Sequence, residues 1–327
     1  MTTQPLLFDE KVFIPTDSHG TQLQIRHRRL AQQTTFDASR TIIMMHGATY
    51  SSGSLFDIPL EGQSFMDYLA LAGFDVWAMD ARGYGGSSRP AAMNQPAGEN
   101  PPAVGAKEAS TDLATAIDYL LQHLALEQIN LLGMSWGGSV TGYYTSQNNP
   151  LIRRLILIAP QWLTSRSPLD PGGELGAWRL IDIPAVKTRW LRSVPQDKQQ
   201  TLIPEGGFEL WAERTLAEEP EQTLREQQKI KASNGPVQDT RDYWTKDSPL
   251  YDPADIRVPL LLLHGEWDAD IPVPLAQSWF LRATHSPEKT WIEIGEATHM
   301  MVLEKNRHQV YAETVRFLTQ SGPETAL

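Results

Sequence analysis

The sequence contains no cysteine among its 327 residues. Disulfide bonds, zinc sites built on thiolates and cysteine nucleophiles are therefore excluded. It also has no apolar stretch approaching the roughly 20 residues of a membrane-spanning helix, so we expect no membrane partner. Residues 1–14 lack both the basic and the long apolar region of a signal peptide. We therefore expect a cytoplasmic protein.

Positive charge is scarce as well. The chain has 28 Lys and Arg against 39 Asp and Glu, a formal net charge of −11. Such an acidic balance argues against nucleic acid or an anionic membrane surface as a partner. The glycine-rich run at residues 80–87 lacks the Gly-Lys-Ser/Thr ending of a phosphate loop, and no dinucleotide fingerprint opens a βαβ unit. We expect a small-molecule substrate and no cofactor or metal, and the sequence leaves the oligomeric state open.

Apolar runs alternate with amphipathic stretches along most of the chain. Strands are predicted at residues 11–15, 22–30, 41–45, 74–79, 128–132, 155–159, 259–263 and 289–294. Helices are predicted at residues 65–72, 110–124, 136–147 and 275–282, with a last one marked by Leu303, Val310, Tyr311 and Phe317. The first two strands flank a predicted turn at residues 17–20, which indicates an edge hairpin. The later alternation implies an α/β fold: a mostly parallel, doubly wound sheet with helices on both faces.

Residues 161–254 break this alternation. They show no clear strand, and charged stretches at residues 208–218 and 221–232 have a helical pattern. We predict an inserted helical cap at 161–254 and a core formed by residues 1–160 and 255–327. Half of the ten tryptophans of the chain lie in this interval and are candidates for an apolar pocket wall: Trp162, Trp178, Trp190, Trp211 and Trp244. The alternative, that they pack the cap onto the core, stays open.

The pentapeptide Gly133-Met134-Ser135-Trp136-Gly137 follows an apolar run and precedes a predicted helix. A strand that ends in Gly-x-Ser-x-Gly and enters a helix is typical of the nucleophile elbow of serine hydrolases. The turn is too sharp for ordinary side chains on either flank, which explains the glycines. It places the next backbone N–H at a helix N-terminus, where an oxyanion is favoured. The plainer interpretation is a tight glycine turn with an ordinary exposed serine.

A serine nucleophile needs a base, and the base needs an orienting acid. In chains with this elbow the order is serine, acid, histidine. Asp268 follows the predicted strand 259–263 and precedes Pro272 by four residues, so it is the candidate acid, with Asp270 as its competitor. His299 follows the strand 289–294 and precedes the last helix, which makes it the candidate base.

His46-Gly47-Ala48-Thr49 follows another predicted strand. A loop of this kind aims a backbone N–H at a developing oxyanion. We therefore predict that the backbone N–H groups of Ala48 and Trp136 form the oxyanion hole. His46 itself is interpreted as a structural residue that fixes the loop.

With these motifs the chain resembles the α/β-hydrolase superfamily, in particular its cap-bearing esterase, haloperoxidase and epoxide-hydrolase branch. The resemblance covers residues 21–160 and 254–319. It rests on motifs that match in order and spacing: His46-Gly47, Asp80-x-Arg82-Gly83-x-Gly85-x-Ser87, Gly133-x-Ser135-x-Gly137, Gly265-x-x-Asp268 and His299. It implies the α/β-hydrolase fold and a Ser135–His299–Asp268 catalytic triad.

The departures from the resemblance bear on chemistry. Epoxide hydrolases and haloalkane dehalogenases of this superfamily use an aspartate where Ser135 stands. Met134 departs from the glycine common before the serine of proline iminopeptidases, and Ala48-Thr49 departs from the Ser-Gly pair of carbon–carbon hydrolases.

We therefore predict a serine hydrolase of a small, fairly apolar carboxylic ester or lactone. A proline-iminopeptidase-like amidase or peptidase, an acyltransferase with the same triad and a non-catalytic binding protein remain alternatives. The peptidase alternative would use the acidic residues of the cap to bind a substrate amine: Glu213, Glu218, Glu219 and Glu221.

Overall fold

The computed structural model describes residues 6–16, 20–164 and 168–320. Within them the main sheet has eight strands. They are β1 (Leu7–Pro15), β2 (Gln22–Leu30), β3 (Thr41–Met45), β4 (Asp75–Met79), β5 (Ile129–Met134), β6 (Ile152–Ile158), β9 (Leu260–Gly265) and β10 (Lys289–Ile294); β7 (Trp178–Asp182) and β8 (Lys229–Ser233) pair separately. Most of the turn predicted at residues 17–20 lies outside the described residues.

The strands of the main sheet follow the order β1-β2-β4-β3-β5-β6-β9-β10. The hairpin strand β2 runs antiparallel to β1 and β4, and every later neighbouring pair is parallel. The predicted edge hairpin and the mostly parallel sheet are therefore confirmed. Parallel strands are covered on both faces, which is why β3 and the first four residues of β9 consist almost entirely of apolar side chains.

Ten α-helices lie in the described residues. They are α1 (Ser52–Phe56), α2 (Phe65–Leu71), α3 (Ala106–His123), α4 (Trp136–Gln147), α5 (Ile183–Trp190), α6 (Gly207–Ala217), α7 (Gln222–Glu226), α8 (Gly235–Asp239), α9 (Val273–Arg282) and α10 (Arg307–Thr319). None of the helices in this part of the chain is long and apolar enough to cross a membrane.

Two apolar clusters cover the two faces of the sheet. Alternate residues of β3 point to opposite sides, so Ile42 and Met44 join the cluster that holds α2 and α10, while Ile43 and Met45 join the cluster that holds α3, α4 and α9. This is the predicted doubly wound arrangement, in which the carboxyl ends of the parallel strands meet at one edge of the sheet.

Helix α3 begins four residues before its predicted start at residue 110. Its N-cap residue, Gly105, offers no side-chain cap. Instead a carboxylate oxygen of Asp239 accepts a hydrogen bond from the Ala106 N–H at 2.8 Å. The cap of this helix therefore comes from a residue 133 positions away, which no local pattern reveals.

Residues 161–254 connect β6 to its neighbour β9 and so form an insertion between two sheet strands. The insertion carries α5–α8, but the expectation that it lacks strands is wrong, because β7 and β8 pair antiparallel within it. The helix predicted at residues 221–232 is limited to α7, and β8 follows at once. The partner of β8 lies about 50 residues upstream in β7, beyond the reach of local periodicity.

Candidate active site

Ser135 lies at the sharp turn between β5 and α4. Its backbone has φ 58° and ψ −121°, a conformation that costs energy for a residue with a side chain. The flanking glycines are required by close packing, since a Cβ on Gly137 would collide with the carbonyl oxygen of His46 and one on Gly133 with the Thr141 hydroxyl. The local geometry is that of the predicted elbow.

The predicted acid and base are hydrogen bonded to each other. The Nδ1–H of His299 donates to Oδ2 of Asp268 at 2.8 Å. Oδ1 of Asp268 accepts the backbone N–H groups of Asp270 and Ile271 at 2.9 and 2.8 Å. The Asp268 side chain is fully buried, so these three donors satisfy a carboxylate that water does not reach. The pairing leaves Nε2 as the nitrogen of His299 that can accept a proton.

The surroundings of His299 favour its charged form. Burial alone would lower the pKa of His299, but the charge and hydrogen bond of Asp268 and the charge of Asp270 outweigh it. The pKa of His299 is therefore raised above its ordinary value. Such a histidine is a stronger base for a hydroxyl proton and stabilises the imidazolium that results.

Asp270, the competing acid, has different partners. Its Oδ2 lies 2.7 Å from Nη2 of Arg189, and its Oδ1 pairs with Nη2 of Arg192. Burial would raise the pKa of Asp270, yet His299 and the two arginines together hold it below its usual range. Asp270 is thus an ionised partner of two arginines from the insertion, and its side chain makes no hydrogen bond to His299 in the described residues.

The two predicted oxyanion donors follow β3 and β5. The backbone N–H groups of Ala48 and Trp136 donate to no partner within the described residues. A Cβ on Gly47 would lie 3.3 Å from the Cβ of Ser135, so the loop that carries Ala48 passes directly against the serine. Two N–H groups without partners beside a serine at a helix N-terminus are suited to binding a developing negative charge.

His46 holds this loop in place. Its Nδ1–H donates to the Gly47 carbonyl at 2.8 Å, and its Nε2 accepts the Ala81 N–H at 3.1 Å. Burial lowers the pKa of His46, which agrees with a neutral ring that donates through one nitrogen and accepts through the other. These contacts match the structural role expected for His46.

A cavity of about 80 Å³ joins the candidate residues. Ser135, His299 and Ala48 contribute to its wall, and most of its surface is apolar. The apolar residues of the wall come from both the core and the insertion: Leu55, Met134, Leu169, Val186, Trp190 and Met300. In the described residues no hydrogen bond joins the Ser135 hydroxyl to His299, as is common before a substrate aligns the two groups.

The five tryptophans of the insertion have different surroundings, and only Trp190 lies in the described wall of this cavity. Trp211 packs behind it, with ring centroids 5.7 Å apart. Trp162 and Trp244 are buried against each other, and the indole N–H of Trp178 donates to the Gln95 carbonyl. The composition of the insertion could not separate these roles, because a tryptophan suits either a pocket wall or a core.

Sequence reasoning missed several polar residues of the site. Arg189 and Arg192 lie in the wall of the cavity. Glu304 is fully buried and accepts the Trp190 indole N–H at 2.6 Å and the Thr298 N–H at 2.8 Å. Burial raises the pKa of Glu304 to about 7. Only a spacing of three residues between the two arginines could have hinted at a shared face, because their partner Asp270 lies about 80 residues away.

Two of the four acidic residues considered as an amine site, Glu218 and Glu219, have cationic partners away from Ser135. Glu218 pairs with Arg26 and accepts the Ser51 hydroxyl, while Glu219 pairs with Arg89 at 2.8 Å. Both lie in a second cavity, whose described wall does not include Ser135. Among the described residues, moreover, no group of three or more His, Asp or Glu side chains could hold a metal ion.

Comparisons with known proteins bear on the fold. A family model for the alpha/beta hydrolase fold matches residues 40–306. No curated protein matches the chain in sequence.

Solved structures match over nearly the whole chain. One is a serine hydrolase from the polyaromatic-hydrocarbon-degrading bacterium Cycloclasticus zankles, with a TM-score of 0.63, 16% identity and coverage of 95% of this chain and 98% of that one. An esterase from Exiguobacterium antarcticum has a TM-score of 0.62, 17% identity and coverage of 95% and 100%. The 2-hydroxy-6-oxo-6-phenylhexa-2,4-dienoate hydrolase of Rhodococcus sp. strain RHA1 has a TM-score of 0.61 and 14% identity, with coverage of 96% of this chain and 100% of that one. At these identities the likeness is one of fold.

Proposed function

Because the chain belongs to the α/β-hydrolase family, we propose that it is a serine hydrolase that cleaves a small carboxylic ester or lactone through an acyl-enzyme intermediate. One observation carries the proposal. Ser135 and His299 share one cavity wall with Ala48, and His299 is hydrogen bonded to the buried Asp268. Nucleophile, base, orienting acid and oxyanion donors are the parts that acyl transfer requires.

The proposed reaction has two halves. In the first, the Ser135 oxygen attacks the ester carbonyl and His299 takes the hydroxyl proton. The backbone N–H groups of Ala48 and Trp136 stabilise the oxyanion, and His299 returns the proton to the leaving alcohol. In the second, water attacks the acyl-enzyme with His299 again as the base, which releases the acid and regenerates Ser135. Asp268 holds the imidazole tautomer and stabilises its charged form.

The wall of the cavity supports a small ester rather than a peptide with a free amine. Its surface is mostly apolar, which suits an apolar acyl chain. The charged residues of its described wall, other than His299, are Arg189, Arg192 and Asp270, so cations outnumber anions there. A protonated amine would meet that positive excess, and Asp270, the carboxylate of the described wall, is already paired with the two arginines.

The test is the Ser135→Ala variant. Ester turnover should fall by up to about 10⁶-fold, the scale of a nucleophile knockout in a triad. A fluorophosphonate should add one adduct to the wild-type protein, on Ser135, and none to the variant. A chromogenic acetate should give a product burst equal to the enzyme concentration if deacylation is slow.

The matched control is Ser146→Ala. Ser146 lies on the same helix α4, and within the described residues its hydroxyl donates to the Tyr143 carbonyl and makes no other hydrogen bond. This variant should therefore be labelled and turn over ester as the wild type does. Labelling at another serine, or undiminished turnover in Ser135→Ala, would remove the basis of the proposal.

A further inference from the structure

Two arginines of the insertion reach the cavity that holds Ser135. Arg189 lies on α5 and Arg192 two residues beyond its end, and both form part of the cavity wall. Both pair with the carboxylate of Asp270, which accepts one hydrogen bond from each arginine, through a different oxygen in each case. Among the charged side chains of the described wall, other than His299, two cations are thus balanced by one anion.

Most of the hydrogen-bonding capacity of the two guanidinium groups is unused. A guanidinium carries five N–H donors. In the described residues the guanidinium groups of Arg189 and Arg192 each donate one hydrogen bond, in both cases to Asp270. Each side chain is 35% exposed, which leaves part of it open to the cavity. Planar guanidinium groups with free donors match the two oxygens of a carboxylate better than any neutral group does.

A third cation increases the positive excess. Arg179, on β7, donates to the Ala48 carbonyl at 3.3 Å and to the Thr49 hydroxyl at 3.0 Å, beside the predicted oxyanion loop. No described carboxylate lies within ion-pair distance of it, and its Nε is buried without a hydrogen bond. Burial lowers the pKa of Arg179, and the charge of Arg189 lowers it further. In a chain with a net charge of −11, this local excess favours an anion.

We propose that the cavity takes an ester whose short apolar acyl chain ends in a carboxylate, which Arg189 and Arg192 bind while Ser135 attacks the ester carbonyl. The inference rests on the proposed function and narrows it to half-esters of small dicarboxylic acids. Hydrolysis breaks the acyl C–O bond and transfers the water oxygen to the acyl carbon. One water proton goes to the alcohol, the other is released to solvent, and a dicarboxylate remains. Asp270 illustrates this mode of binding, since each of its oxygens accepts a hydrogen bond from one of the two guanidinium groups.

The experiment compares two substrates of equal chain length. Monomethyl glutarate carries a carboxylate where methyl valerate carries a terminal methyl group, and methanol release reports kcat/KM for both. The wild type should prefer monomethyl glutarate by roughly 10- to 100-fold, as expected for charge-assisted hydrogen bonds. In the double variant Arg189→Gln/Arg192→Gln the ratio should fall toward one. The double variant Arg189→Lys/Arg192→Lys keeps the positive charges but loses the planar arrangement of N–H donors, so it should give an intermediate ratio.

Lys187→Gln is the matched control. Lys187 lies on the same helix, pairs with Glu209 at 3.5 Å and is not part of the described cavity wall, so the ratio should stay at the wild-type value. A second readout needs no turnover: glutarate should raise the melting temperature of the wild type, and this rise should vanish in the glutamine double variant.

The outcomes separate this inference from the proposed function. A wild-type ratio near one, or an equal rise in melting temperature with glutarate in the wild type and in the glutamine double variant, overturns the carboxylate assignment even if Ser135 is labelled and esters are hydrolysed. A double variant that melts earlier but keeps the ratio means that the arginines only tie the insertion to the core. Loss of the proposed function would instead appear as absent fluorophosphonate labelling of Ser135, whatever glutarate does to the melting temperature.

Discussion

Asp268 and Asp270 lie two residues apart on the loop after β9 and meet different partners. Asp268 accepts the Nδ1–H of His299, whereas Asp270 pairs with Arg189 and Arg192. A carboxylate that holds the histidine tautomer acts on the chemical step. One that pairs with arginines acts on the charge of the cavity and on the pKa of the histidine nearby.

The first prediction at this scale compares the two aspartates. Asp268→Asn should lower kcat by about 10⁴-fold, because an amide in place of the carboxylate favours the wrong imidazole tautomer. Asp270→Asn keeps the His299–Asp268 hydrogen bond and should cost far less. Turnover of a neutral ester such as methyl valerate is the measurement. The reverse ranking would mean that Asp270 takes the place of Asp268 when a substrate is bound.

The second prediction concerns pH. His299 must be neutral to accept the Ser135 proton, so kcat/KM should rise with pH through the raised pKa of His299. The charge of Asp270 raises this pKa and that of Arg189 lowers it. The acid limb should therefore move to lower pH in Asp270→Asn and to higher pH in Arg189→Gln. Shifts in the same direction in the two variants would show that direct charge effects on His299 are not the cause.

At the scale of elements, helix α5 connects the insertion to the loop that carries His299. Trp190, at its end, forms part of the cavity wall and donates its indole N–H to Glu304, which in turn accepts the Thr298 N–H. Trp244 lies outside the described cavity wall, packed against Trp162 with ring centroids 5.4 Å apart and against Tyr251. Both tryptophans are buried, yet of the two only Trp190 lies in the described cavity wall.

Replacing each of the two by alanine should separate packing from selectivity. Both variants should lose about 3–5 kcal/mol in the free energy of unfolding, the usual cost of removing a buried tryptophan. Only Trp190→Ala should also change the preference between short and bulky acyl groups, by roughly 10- to 200-fold. Melting curves and kcat/KM for a series of chromogenic esters measure the two effects. A selectivity change of similar size in Trp244→Ala would contradict the assignment.

At the scale of the whole molecule, ionic contacts join the insertion to the core at several places. Arg189 pairs with Asp270, Arg89 with Glu219, and Lys198 with Glu296. Asp239 adds a contact of another kind, since its carboxylate accepts both the Ala106 N–H at the start of α3 and the indole N–H of Trp136. The residue after Ser135 is thereby held by a side chain from the insertion.

The contact of Asp239 predicts a pH-dependent stability. Burial raises the pKa of Asp239 from 3.8 to about 7. Between these values the folded chain binds more protons than the unfolded chain, so this group lowers the free energy of unfolding as the pH rises from 4 to 7. Asp239→Asn can keep one oxygen on both N–H donors without the charge. Its stability relative to the wild type should therefore increase across that window, on the order of 1 kcal/mol or more, and level off above it.

Denaturant unfolding of the two proteins at matched pH values measures the difference. A difference that stays constant from pH 4 to 8 would mean that Asp239 is ionised in the folded protein throughout this range.

The sequence by itself determined the α/β architecture and the loops that carry the candidate chemistry. Apolar runs such as residues 41–45 predict strands that are covered on both faces. The alternation of strands and helices then implies a parallel sheet. The elbow around Ser135 can be predicted from the sequence because its glycines are required by steric contacts that depend mainly on the turn itself. Asp268 and His299 can be predicted as partners because each follows a strand, and the two strands end at the same edge of the sheet.

Only the tertiary structure decided what surrounds those loops. Asp239 caps α3 from 133 residues away, Asp270 meets arginines from 78 and 81 residues away, and β7 pairs with β8 across about 50 residues. These contacts depend on how the insertion packs on the core. Packing is a property of whole surfaces, so a local pattern of residue types does not encode which tryptophan lies in the cavity wall or which carboxylate pairs with the two arginines. The charge of the cavity, and with it the proposed substrate, follows from that packing alone.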